Sequence, residues 1–134
     1  MYGVGTAYRF ARKPLLAVGM YEKALNIAPL APTDTKLNYL RALIDSKKFS
    51  KAERVSKEMT GLDKHSSYWG YLFLIYINFE NNKKDDAARL YKEFSKLNKV
   101  TLDDIISEIE SYPWSWDVWY KITLVDTLRE IDKL

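Results

Sequence analysis

The chain has 134 residues, a net charge of +3, 47% apolar and 29% charged residues, and no cysteine. That is the composition of one globular domain with a single core; it excludes disulfides and thiolate metal sites, and it fits a reducing cytoplasm, the expected location. The longest apolar run, Trp69 to Ile77, is far short of the ~20 residues that cross a bilayer, and no charged-then-apolar secretory leader opens the chain.

In chain order, the first element is a helical hairpin over residues 1–29. Val4, Gly5 and Tyr8 mark one face of a helix running to about Ala11, with Gly5 as a small contact residue. A tight turn follows, and Pro14 suits the first turn of the next helix, where a missing N–H costs nothing. In that helix Ala17, Tyr21, Ala24 and Leu25 share one stripe, because positions three and four apart are neighbours. The two alanines let another helix approach closely, while Tyr21 and Leu25 fill the flanks. Pro29 ends the element by pushing the preceding residue out of helical geometry.

The pattern recurs. Ala17, Ala52 and Ala87 are each 35 residues apart, and each follows a polar, lysine-rich turn: ARKP, SKKF and NNKK. Tyr91 stands to Ala87 as Tyr21 does to Ala17. Thr33 and Asp34 are expected to cap a second hairpin whose first helix carries Leu37, Leu40, Leu43 and Ile44, and Ser66 and Ser67 to cap a third. The first helix of that third hairpin, WGYLFLIYINF, is apolar nearly all round. A buried strand would also read this way, but no second strand is present to pair with it. A helix packed on two sides accounts for it.

Val4-Gly5-x2-Tyr8, followed by Ala17-x3-Tyr21-x2-Ala24-Leu25-x3-Pro29, resembles the tetratricopeptide repeat, with its L-G-x2-Y, A-x3-F/Y and closing proline. The second and third repeats depart from that pattern: Leu40 and Ile75 replace the small residue, and neither closes on a proline. The resemblance implies an all-α fold, a right-handed α-solenoid of about three hairpins plus a capping helix pair. Its repeats would span 1–31, 32–65 and 66–100 in a single domain, with the cap over 101–134. Met1 would then fall inside the first helix of the first repeat, so the expectation is a fragment or C-terminal part of a longer array, or else a natural start that leaves an apolar edge exposed.

From Thr101 the period breaks. Thr101 and Asp104 predict a capping start for a short helix to about Ser111, then a turn at Pro113. A last helix follows, with Trp119, Ile122, Val125 and Leu128 along one face. Such a tail supplies the end cap that a solenoid needs. Its order (a TLDD helix, a YP turn and a helix ending in LRE) resembles the segment closing tetratricopeptide arrays of bacterial adenylate and guanylate cyclases.

No catalytic constellation is visible. His65, the only histidine, sits in a polar loop and reads as solvated, without the nucleophile or carboxylate partner that a general base needs. Asp103, Asp104, Glu108 and Glu110 suggest a hard-cation cluster, but the acidic start and outer face of a helix explain them better. Gly3 and Gly5 make no phosphate loop. The expectation is a non-enzyme with no cofactor and no metal. Aromatics form 14% of the chain, and Trp114, Trp116 and Trp119 cluster in the tail; their helical spacing favours packing over base stacking.

The resemblance implies a protein-interaction module that binds a peptide or partner helix in the concave groove of the solenoid. The family's groove positions map onto Tyr2, Thr6, Arg9 and Phe10 in the first repeat, and Leu37, Arg41 and Asp45 in the second. In the third they map onto Trp69, Leu72, Tyr76 and Glu80. Aromatic anchors and arginines suit an extended or helical peptide. Most positions of a carboxylate clamp are missing, and only Asn38 falls where one is expected. A second reading is single-stranded RNA binding. Residues 1–65 carry 12 Lys and Arg against 6 Asp and Glu, and residues 66–134 carry 9 against 12. The 35-residue period also resembles a pentatricopeptide repeat, and Lys47, Lys51 and Arg54 share a stripe that could meet phosphates. Against it, the third repeat's first helix is apolar where a polar base reader is needed. A third reading is a regulatory appendage of a nucleotide cyclase. No membrane partner is expected.

Overall fold

The computed structural model describes residues 13–27, 33–113 and 118–134, and every regular element in them is helical. Helices α1 (Pro14–Ile27), α2 (Thr33–Asp45) and α3 (Phe49–Thr60) are followed by α4 (Lys64–Glu80) and α5 (Lys84–Asn98). The last two are α6 (Leu102–Ser111) and α7 (Val118–Asp132). The chain divides into two units, residues 1–58 and 59–134. The expected helix before Ala11, the closing Pro29, and Trp114 and Trp116 lie outside the described residues.

Two turns repeat one hydrogen-bonding scheme. After α2, the Lys47 N–H donates to the Ile44 carbonyl and the Lys48 N–H to that of Leu43, with Lys47 in the left-handed region at φ 59°. After α4 the same pair of bonds runs from Asn82 to Phe79 and from Lys83 to Asn78, with Asn82 at φ 62°. Both are Schellman closures, in which a left-handed residue satisfies the last carbonyls of a helix. The next helix then starts the same way. Ala52 donates to the Lys48 carbonyl and Ala87 to that of Lys83, each at 3.0 Å, as Ala17 does to Lys13 at 3.1 Å. All three alanines are fully buried. The 35-residue spacing of the sequence is therefore a spacing of backbone geometry as well.

In the first unit, α1 buries Ala17, Val18, Tyr21 and Ala24 and packs on α2. A polar tie joins three helices. The Glu22 carboxylate of α1 accepts from the Tyr39 hydroxyl of α2 at 2.7 Å and pairs with Lys51 of α3. Burial alone would raise the Glu22 pKa. The hydrogen bonds from Lys51 and Tyr39 and the charges of Lys51 and Lys48 outweigh it and hold the carboxyl below its ordinary value. Burial, and then the bond to Glu22, push the Tyr39 phenol up.

In the second unit α4 is the central element, and α5 and α7 pack on it. It begins at Lys64, one residue after Asp63. The Asp63 carboxylate accepts from the Ser66 N–H at 3.4 Å and from the Ser66 hydroxyl at 2.7 Å. The cap is thus Asp63, three residues before the expected Ser66; the serine is its donor inside the first turn. From there to Asn78 nearly every side chain is buried. Three aromatic residues of α4, at spacings of four and three, each meet a ring from the end of the chain. Trp69 lies 4.8 Å from Tyr112, Phe73 5.8 Å from Tyr120, and Tyr76 6.5 Å from Trp119. Offset and edge-to-face geometries of this kind add to what area burial supplies. Helix α5 contributes Ala87, Leu90 and Phe94 to the core.

The predicted Thr101–Asp104 start is present as a reciprocal capping box: the Asp104 N–H donates to the Thr101 hydroxyl oxygen at 3.2 Å, and the Thr101 N–H to the Asp104 carboxylate at 2.9 Å. The last helix is rotated from its expected face. Val125 and Leu128 are buried as predicted, with Tyr120, Leu124, Thr127 and Ile131, whereas Trp119 and Ile122 are 58% and 54% exposed. Three helices surround the buried side of α7, and Tyr120 is the residue that reaches Phe73.

Three predictions follow from this packing. Leucine at Ala87 overfills a fully buried site and should destabilise by ~1–3 kcal/mol in urea unfolding; an equally stable variant would refute the register. Gly19→Ala should stabilise by ~0.5–1 kcal/mol, because a Cβ there meets nothing within 4 Å; no rise in melting temperature would count against it. Glu22→Gln should destabilise by about 1 kcal/mol or less at neutral pH, since both partners are more than a third exposed and water screens the pair. As the folded-state pKa is depressed, that difference is full above 4.5, the ordinary value. It fades as pH falls through the folded value, and a pH-independent difference would exclude the ion pair as its source.

Candidate functional site

Three helix ends in the second unit converge on an open cleft of about 600 Å³. The first turns of α4 supply Lys64, His65, Tyr68 and Trp69; the end of α5 and the turn after it supply Asn98 and Val100; α6 supplies Asp104, Ser107 and Glu108. Each element is placed by its own terminus. Asp63 starts α4, Lys99 stops α5 in the left-handed region at φ 53°, and the Thr101–Asp104 box starts α6. Only two residues separate Lys99 from Leu102, so the α5 end and the α6 start are forced together.

Trp69 forms the floor of the cleft and is 2% exposed. Half-buried Tyr68 leans edge-on against Phe94, with ring centroids 4.8 Å apart. Its hydroxyl makes no hydrogen bond among the described residues. Burial, with the charges of Glu108 and then Asp104, pushes that phenol up to about 12. Asp104 is held below the usual carboxylate range by the Thr101 N–H and then the Thr101 hydroxyl. The Asn98 amide donates to the Phe94 carbonyl at 3.0 Å.

The predicted groove positions are distributed unevenly. Tyr2, Thr6, Arg9 and Phe10 lie outside the described residues. Leu37, Trp69, Leu72 and Tyr76 are buried, as is Arg41, which donates to the Asn38 side-chain oxygen at 2.7 Å; Asp45 and Glu80 face solvent. Trp69 and Tyr76 pack against rings from the end of the chain. Of the predicted set, Trp69 alone lines the cleft. The other cleft residues were not legible as a group. The acidic pair on α6 reads as an outer helix face until the fold brings the start of α4 beside it. No sequence signal links segments that far apart.

His65 lies in the first turn of α4 and lines the cleft. The neighbouring Ser66 hydroxyl is engaged with Asp63. Among the described residues no group of three or more His, Asp or Glu is placed to hold a metal ion, and no helix is long and apolar enough to cross a membrane. A shallower concavity in the first unit is lined by Gly19, Glu22, Lys23, Leu25, Asn26 and Tyr39, but its carboxylate is already occupied by Lys51 and Tyr39. Comparison with known families finds no family model that matches the chain, and comparison with curated proteins finds no match.

Because the Tyr68 hydroxyl has no partner to lose, Tyr68→Phe should change the unfolding free energy by less than ~0.5 kcal/mol. Urea titration reads this directly. A loss well beyond that range would mean the hydroxyl supports the fold rather than standing open in the cleft.

Proposed function

We propose that the chain is a non-enzymatic protein-interaction module of tetratricopeptide-like hairpins. In this reading the hairpins stack as a right-handed α-solenoid, closed by α6 and α7, and bind a partner polypeptide. The observation that carries it is the 35-residue recurrence of one turn with one buried alanine, at Lys48–Ala52 and at Lys83–Ala87, begun at Lys13–Ala17. Identical turns place successive helices in equivalent relations, which is the physical basis of a repeat architecture. Binding by such arrays uses solvent-facing positions of the first helix of each hairpin. Glu80, which faces solvent, and the cleft at the start of α4 are the candidates here.

The RNA reading is weaker on two counts. Lys51, one of the three cations proposed to meet phosphates, is paired with Glu22. The first helix of the third hairpin is buried along most of its length and offers few polar side chains to read bases. The cyclase-appendage reading is compatible with the module reading. A helix to Ser111 and a helix from Val118 fall where that resemblance expects helices.

The test is fluorescence anisotropy of a labelled random-peptide pool and a labelled single-stranded RNA pool, each at low and high salt. The expected outcome is peptide binding that survives high salt. RNA binding that collapses as salt rises would instead show that phosphate contacts dominate and would overturn the proposal.

A further inference from the structure

Helices α1 and α7, one in each unit, hold large apolar side chains in water. On α1, Leu15 and Leu16 are 63% and 49% exposed; on α7, Val118, Trp119 and Ile122 are 50%, 58% and 54% exposed. Single exposed apolar residues are ordinary, but these stand in two stripes with one spacing. Leu16, Gly19, Lys23 and Asn26 follow steps of three, four and three along α1, and Trp119, Ile122, Asp126 and Arg129 follow the same steps along α7. All eight are at least partly exposed. Alternating steps of three and four make the seam along which two helices interlock their side chains. Leu15 and Val118 stand immediately before the first seam residue of their helix.

The two stripes complement each other in charge and in shape. Lys23 and Asp126 are exposed, and neither makes an ion pair among the described residues. Each stands two turns after its own apolar anchor, Leu16 or Trp119. The carboxylate beside Lys23, that of Glu22, is already occupied by Tyr39 and Lys51. Gly19 lies between Leu16 and Lys23 in a shallow concavity, and a Cβ there would meet nothing within 4 Å. The matching step of α7 carries the bulky Ile122, which that space can receive. With the helices parallel, Leu16 meets Trp119, Gly19 meets Ile122 and Lys23 meets Asp126. With them antiparallel, Asp126 would lie against Leu16 and lose its cation, a costly place for a charge. Charge therefore selects the parallel register.

We propose that α7 of one molecule docks in parallel on α1 of a second copy of this chain, with the Lys23 ammonium donating to the Asp126 carboxylate. Leu15, Leu16 and the Gly19 concavity cover Trp119 and Ile122. Because the two surfaces differ, association either closes into a ring, of which two copies are the smallest, or extends. A seam of two heptads buries little area, so the contact is weak and forms at high concentration. It is separate from the polypeptide-binding reading above, since it needs neither a groove nor a foreign partner.

The experiment is sedimentation velocity of the whole chain over a concentration series reaching millimolar. The weight-average sedimentation coefficient is expected to rise with concentration. Ile122→Ser and Leu16→Ser, one on each face, should each weaken association by about tenfold. Lys23→Asp and Asp126→Lys each set like charges across the seam and should each weaken it by about fivefold. Mixed in equal amounts, those two charge variants regain opposite charges in contacts between unlike molecules, and the mixture should associate more strongly than either variant alone. All four positions are exposed, and an unchanged melting temperature shows that the fold is retained. A chain that stays monomeric throughout, unchanged association in both charge variants, or a mixture no stronger than its components would each overturn the proposal.

Discussion

Helix α4 carries apolar side chains around most of its circumference, so no single partner can take it out of water. A helix at a surface needs one apolar stripe; α4 has aromatic or aliphatic residues at almost every position from Tyr68 to Phe79. The second unit is organised by the need to cover it. Helix α5 folds back along one side through the Asn82 turn, and the aromatic residues of the chain end cover another. The rotation of α7 follows from the same need. A face chosen to place Tyr120 on Phe73 leaves Trp119 partly in solvent, still in edge contact with Tyr76.

Turn chemistry makes that folding-back reproducible. A left-handed residue after α2 and another after α4 close the two helices with the same pair of hydrogen bonds, and a fully buried alanine follows each turn. Small side chains at those points allow helices to approach closely, and any larger residue must displace a neighbour. The first unit adds a polar tie at Glu22, where one carboxylate serves Tyr39 and Lys51 together. Such a tie does little for total stability because water screens it, but it favours one arrangement of α1, α2 and α3.

The same rules locate the candidate site. Helix interiors in the second unit are consumed by packing, so charged and polar groups collect at helix ends, where backbone groups need capping. Where the starts of α4 and α6 meet the end of α5, capping uses Asp63, Ser66, Thr101 and part of Asp104. Glu108, Lys64 and the Tyr68 hydroxyl are left over.

Much of the architecture was legible in local pattern. The 35-residue spacing of Ala17, Ala52 and Ala87, the lysine-rich turns and the Thr101–Asp104 box are short-range features, and short-range hydrogen bonding enforces them. Burial of WGYLFLIYINF followed from its lack of a polar face. Less was legible wherever two distant segments had to choose each other. Which face of α7 turns inward depends on the rings waiting on α4. Whether Trp69, Leu72 and Tyr76 meet a ligand or a neighbouring helix depends on where the tail lies. The charges of Asp104 and Glu108 acquire a shared meaning only once α4 stands beside them. Sequence by itself determined that the described segments are helical, where their lysine-rich turns fall and the 35-residue spacing of the buried alanines, because those depend on contacts within a few residues. Tertiary structure alone decided which apolar faces are covered and which charges stay open, because both depend on side chains far apart along the chain.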